Sequence, residues 1–116
     1  MSSRRADRLA EAIKKEVAHM LQDEIKDPRI GFASVTQVTV SSDLRYAKIF
    51  VSVLGDEEAK RDTQAGLENA AGYIRRELGR RIALRYVPEI SFKIDSSIEH
   101  GVHISKLLSE VKKEDN

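Results

Sequence analysis

The sequence predicts a two-layer α+β domain, a three-stranded sheet with helices packed on one face. Three observations predict it. Apolar residues recur at helical spacing in two long segments. Two consecutive segments rich in β-branched residues lie between them, and a third alternating segment follows the second helical run. The chain has 116 residues, enough for one modest core, so residues 1–116 read as a single domain.

The first helix is carried by Leu9, Ile13, Val17, Met20 and Leu21, which form one apolar stripe. Ser2 or Ser3 is placed to cap its start, and Asp7 lies near the positive end of its dipole. Pro28 disfavours a helical Asp27, so the helix is expected to end just before it. Two strands follow. Ala33 to Ser41 is β-branched, and Arg45 to Val53 puts Ala47, Ile49, Val51 and Val53 on one face. The short polar stretch Ser41-Ser42-Asp43-Leu44 between them makes a hairpin the economical reading.

Gly55 to Asp62 reads as a polar, acidic connection. After it, Leu67, Ala70, Ala71, Ile74, Leu78 and Ile82 keep helical spacing across Gly72 and Gly79. A glycine inside a helix costs about 1 kcal/mol relative to alanine, so two of them predict a bent or two-part helix, broken near Ala70-Ala71-Gly72. Pro88 stops that run, and Ile90 to Asp95 alternates as a third strand. Ile104, Leu107, Leu108 and Val111 suggest a short closing helix, with residues 112–116 fraying beyond it. The order α-β-β-α-(kink)-α-β is that of a type II KH domain, an RNA-binding module.

Net charge is only +1, so any affinity for nucleic acid must come from how charge is distributed. The run Tyr73 to Arg85 holds Arg75, Arg76, Arg80, Arg81 and Arg85 against Glu77 alone. On a helix these arginines form a broad basic surface opposite the Ile74–Leu78–Ile82 stripe. A solvated helix face usually mixes its signs. Guanidinium forks suit phosphate oxygens, so the segment is a candidate RNA footprint. The first helix adds Arg4, Arg5, Arg8, Lys14 and Lys15, with Asp7 and Glu11 as the nearby acids. Acids instead gather between Asp56 and Asp62.

Other classes are disfavoured. The chain has no cysteine, which excludes disulfides, thiolate nucleophiles and zinc–cysteine sites. His100 and His103, with Asp95 and Glu99 nearby, have partial metal-ligand spacing. Gly101 interrupts them and no third strong ligand is placed, so the expectation is loop histidines with no metal and no cofactor. No serine sits in a nucleophile elbow, and no phosphate-binding P-loop occurs, so no enzyme is expected. The polar start lacks a signal peptide and Ile49 to Leu54 is too short to span a bilayer, which predicts a soluble, cytoplasmic protein; a monomer is expected. The Gly-x-x-Gly clamp of KH domains is missing. Two alternatives stand beside the basic-surface RNA-binding reading: a protein-interaction module, and a general KH protein gripping single-stranded RNA.

Three stretches together resemble the ribosome-binding factor A family: RRADRLAEAIKKEVAHML, GFASVTQVTVSSDLRYAKIFVSV, and AAGYIRRELGRRIALRYVPEISFKIDSSIEHGVHISKLL. The resemblance covers nearly the whole chain. It implies a type II KH-like fold in which Ala-x-Gly, here Ala70-Ala71-Gly72, replaces Gly-x-x-Gly. It also implies a non-catalytic protein that binds small-subunit rRNA within free 30S subunits. Such a protein assists late maturation and processing of the leader end of 16S rRNA, and supports growth in the cold. Functions resting on the extended C-terminal tail of longer members are not expected here.

Overall fold

In the computed structural model, which describes residues 4–95, the first apolar stripe becomes helix α1, Arg4–Asp23. Its buried side is Ala6, Ala10, Ile13, Val17 and Met20. Burying side chains the size of Ile13, Val17 and Met20 stabilises by about 1.5–3 kcal/mol each. The helix stops four residues earlier than Pro28 requires. Asp27 takes over there, accepting from the Arg29 N–H at 2.9 Å, while the Ile30 N–H closes a turn onto the Asp27 carbonyl at 3.0 Å. The Ser2 and Ser3 caps and the expected helix from Ile104 to Val111 lie outside the described residues.

Strand β1, Ala33–Val40, pairs antiparallel with β2, Tyr46–Val53. The register shifts between Val35 and Gln37. Thr36, at that irregularity, donates its hydroxyl toward the Phe50 carbonyl at 3.3 Å and the Asp95 carboxylate at 3.1 Å. The predicted hairpin turn is present: Leu44 N–H bonds to the Ser41 carbonyl, and Ser41 N–H to the Tyr46 carbonyl. Strand β3, Glu89–Ile94, pairs parallel with β2, giving the order β1-β2-β3. A parallel pair needs a long crossover, supplied here by helix α2, Glu57–Arg81.

Two expectations are corrected in α2. The acidic stretch through Asp62 is not a connection but the first turns of the helix. Asp56 caps it, accepting from the Ala59 N–H at 2.9 Å, and Glu57 and Glu58 sit at the positive end of the dipole. The second correction concerns the two-part helix. Ala70-Ala71-Gly72 lies inside one uninterrupted α-helix, and the only positive-φ glycine among the described residues is Gly55. Leu67, Ile74 and Leu78, on both sides of Gly72, are all fully buried in the same core. Burying all three from a single helix outweighs the propensity cost of one exposed glycine.

Both helices cover the sheet face that carries Val38, Ala47, Ile49, Val51 and Phe92, with α1 over β1 and α2 over β3. The result is the α+β, type II KH-like layering that the element order predicts.

Candidate nucleic-acid interface

The predicted basic residues divide into three groups. Arg4, Arg8, Lys15 and Arg76 lie on the exposed surface, while Lys14 is half-buried. Arg76 sits over the Tyr73 ring, its guanidinium carbon 5.8 Å from the centroid. Arg80 is exposed but bonds to Glu77 at 2.7 Å.

Arg81 departs from the predicted phosphate-binding set, because its side chain turns inward. It donates to Glu24, just past the end of α1, and to Glu77 one turn back, and lies 3.6 Å from Glu16 of α1. Residues 73, 77 and 81 share the flank of α2 that meets α1. The guanidinium, only 19% exposed, is thereby committed to three carboxylates. Glu24 also accepts from the Tyr73 hydroxyl at 2.7 Å. The hydrogen bond from Arg81, then that from Tyr73, pulls the Glu24 carboxyl down to about 2. The same contacts push the Tyr73 hydroxyl and the Arg81 guanidinium upward. Sequence spacing places Arg81 on a helix row, but only the packing of α1 shows which row faces carboxylates.

The third group converges. Arg5 from the start of α1, Arg75 from α2 and Arg85 from the α2–β3 loop line one cleft of about 730 Å³. Arg45, Tyr46 and Tyr86, which were not on the predicted list, line it too. Local structure positions each of them. Helix α2 ends with Ile82, whose N–H bonds to the Leu78 carbonyl, and Ala83 then takes φ 56. Leu84 N–H reaches back to the Gly79 carbonyl at 3.1 Å, a Schellman-type stop that aims the next residues away from the helix axis. Arg75 donates to the Val87 carbonyl at 3.3 Å, which holds this loop against the helix. On the other wall, Asp43 accepts from the Ser41 hydroxyl at 2.6 Å and the Arg45 N–H at 3.1 Å. Those two bonds, the Ser41 one first, hold the Asp43 carboxyl below its usual range. A bond from Glu89 N–H to the Arg45 carbonyl, 2.8 Å, ties the two walls together.

A signal for the missed residues was present. Leu-Arg-Tyr occurs twice, at 44–46 and 84–86, each time leading into or toward a strand. Arg45 lies outside the two arginine-rich runs, so local charge balance alone does not single it out. Of the partial metal set, Asp95 accepts from Thr36, whereas Glu99, His100 and His103 lie outside the described residues. Among the described residues no helix is long and apolar enough to cross a membrane.

A family model described as Ribosome-binding factor A matches residues 5–108. A ribosome-binding factor A from Halothermothrix orenii is 54% identical over 99% of this chain and 94% of its own length. Another, from Natranaerobius thermophilus, is 55% identical over 96% of this chain and 85% of its own. Among solved structures, a Thermotoga maritima protein described as a putative ribosome binding factor A superimposes with a TM-score of 0.70 at 31% identity, covering 82% of this chain and 91% of that one. A Thermus thermophilus ribosome binding factor A model, fitted into a cryo-EM map of a 30S complex, shares the fold with a TM-score of 0.62 at 23% identity, covering 83% of this chain and 97% of that one.

Proposed function

This chain belongs to the ribosome-binding factor A family, and from that premise we propose that it binds rRNA within free 30S subunits and assists their late maturation, including processing of 16S rRNA. The observation that carries the reading is the convergence of Arg5, Arg75 and Arg85 with Arg45 around one cleft, from segments far apart in sequence. Arginines concentrated in one place raise their mutual repulsion unless an anion joins them, and phosphate is the anion that guanidinium forks fit. Arg4, Arg8, Lys15 and Arg76 extend the positive surface beyond the cleft. The protein works as a cytoplasmic monomer without a catalytic step. By binding one rRNA conformation better than its competitors, it shifts the population toward the mature fold. Such a bias matters most in the cold, where misfolded RNA helices escape slowly.

The test is co-sedimentation with free small subunits across a salt series. Arg5→Ala, Arg75→Ala and Arg85→Ala together should lower the magnitude of the log–log salt slope by about 2 to 3, at about 0.7–0.9 per phosphate released. Arg81→Ala should leave the slope of the folded fraction unchanged, because that side chain is held by carboxylates. In cells, the triple variant should accumulate precursor 16S rRNA with unprocessed leader ends. A salt slope equal to that of the unaltered chain would remove the arginines from the interface.

A further inference from the structure

We propose that the cleft between the two Leu-Arg-Tyr loops is a pocket for an unpaired nucleotide of RNA, with its base stacked on Tyr86 and its phosphate held by the arginines. This rests on the rRNA-binding reading and goes beyond it, because the arginines alone account only for phosphate and say nothing of bases.

The tyrosines are the observation that phosphate binding leaves unexplained. The chain has three tyrosines, and two of them line this cleft with 57% and 78% of their surface exposed. Neither contributes to the core cluster. Leaving a large ring in water forgoes the stabilisation that burying it provides. The Arg85 guanidinium carbon lies 5.6 Å from the Tyr86 centroid, so the ring already sits beside a cation. A cleft that holds both guanidinium groups and exposed phenol rings suits a ligand that is both anionic and flat. A nucleotide is such a ligand, since every base offers a π-face and carries a phosphate. A closed duplex offers the phosphates without the face, so the tyrosines select an unpaired residue: a bulge, a loop or a strand end.

Charge and rigidity agree with this. Against four arginines the cleft holds two acids, Asp43 and Glu89. Asp43 is occupied by Ser41 and the Arg45 N–H. The cleft volume, about 730 Å³, falls within the roughly 300–1,000 Å³ of small-ligand pockets. Leu44 at φ 62 and Ala83 at φ 56 are the non-glycine residues with positive φ among those described, one in each loop. Ala83 terminates α2 and Leu44 closes the hairpin turn, so each loop is fixed by a backbone hydrogen bond at or next to its left-handed residue. The Glu89–Arg45 backbone bond joins the two loops in the same way.

The experiment uses the full chain and a fluorescein-labelled single-stranded RNA decamer, with a blunt-ended RNA duplex in which every base is paired as the second arm. Labelled-RNA anisotropy gives affinity. With no tryptophan in the chain, intrinsic emission reports the tyrosines. The single strand should bind more tightly than the duplex and quench tyrosine emission. Tyr86→Ala should weaken single-strand binding by about 5- to 150-fold, the range seen when a stacked base loses its platform, and leave duplex binding nearly unchanged. Tyr86→Phe keeps the ring and should bind as the unaltered chain does. Far-UV circular dichroism checks that each variant is folded, which an exposed side chain should permit.

If small subunits bind normally but the single strand leaves emission unchanged, or Tyr86→Ala binds it undiminished, the nucleotide pocket is wrong and the rRNA reading stands. Equal affinity for the fully paired duplex and the single strand has the same consequence. If neither RNA nor free small subunits bind, the reading beneath the proposal falls with it.

Discussion

Three glycines lie six and seven residues apart on α2, and the same change to alanine at each should give three different results. The structure supplies the reason through what an added methyl group would meet. At Gly72 nothing lies within 4 Å, and the backbone is helical with no positive φ. Alanine there gains its propensity advantage of about 1 kcal/mol with no opposing term. For a domain this size that raises the melting temperature by about 4–8 °C. At Gly66 the methyl would sit 2.6 Å from Ile30 Cγ1 and 3.4 Å from Arg29 Cβ. Carbon atoms pack at about 3.5–4.0 Å, so the loop after α1 must retreat by about 1 Å. That loop is also pinned here by Thr63, fully buried, whose hydroxyl donates toward the Arg29 carbonyl at 3.4 Å. Overpacking costs about 1–3 kcal/mol, of which the helix term offsets about 1, leaving a net loss of up to about 2 kcal/mol. At Gly79 the methyl would sit 2.8 Å from Val87 Cγ2. Val87 lines the cleft and belongs to the loop that carries Arg85 and Tyr86, so strain there is relieved by moving the loop. Stability should change little, while small-subunit binding weakens. The assay is thermal melting of all three variants, alongside subunit binding corrected for the folded fraction. A Gly72→Ala protein that melts lower, or that is folded and binds subunits poorly, would refute this reasoning. It would make the Ala70-Ala71-Gly72 surface itself a place of close contact. A Gly66→Ala protein that melts higher would refute the account of the loop.

Two further outcomes follow from single contacts. Glu24 has a folded pKa of about 2, depressed by Arg81 and Tyr73 from a normal value near 4.5. A depressed carboxyl contributes stability above its unfolded pKa and loses it as pH falls through the folded one, so the contribution should fade between about pH 4.5 and pH 2. Glu24→Gln should flatten that part of the melting-temperature profile and lower stability at pH 7, as read by calorimetry across pH. An unchanged acid limb would mean that Glu24 is not paired. Ala83 holds φ 56 at the end of α2, where a residue with a side chain pays about 1–2 kcal/mol. Ala83→Gly should stabilise by about 0.5–1 kcal/mol after the extra freedom of glycine in the unfolded chain is subtracted, measured by urea denaturation. A destabilised Ala83→Gly protein would contradict the left-handed stop.

What the sequence determined by itself is everything that depends on local repetition. The stripe through Ile13, Val17 and Met20 makes α1 because helical spacing stacks those residues on one side. The alternation from Ala47 to Val53 makes β2 because strand residues point to opposite faces. The helix start at Asp56 is equally local, a capping aspartate followed by two glutamates, although apolar periodicity alone does not reveal it. The continuity of α2 through Gly72 has a related cause: propensity is a local quantity, while the burial of Leu67, Ile74 and Leu78 that overrides it comes from the whole core. Only the tertiary structure decided what each arginine does. Arg80 and Arg81 are neighbours in sequence, yet one faces solvent and the other is enclosed by Glu16 of α1, Glu24 just past its end and Glu77 of α2, because a helix turns 100° per residue and α1 lies against one side only. Arg5, Arg45, Arg75 and Arg85 share a cleft because β2 and β3 pair side by side, which brings the two loops leading into them to the same end of the sheet. No one-dimensional pattern contains that pairing, since backbone hydrogen bonds between strands carry no record of how far apart in the chain their partners lie.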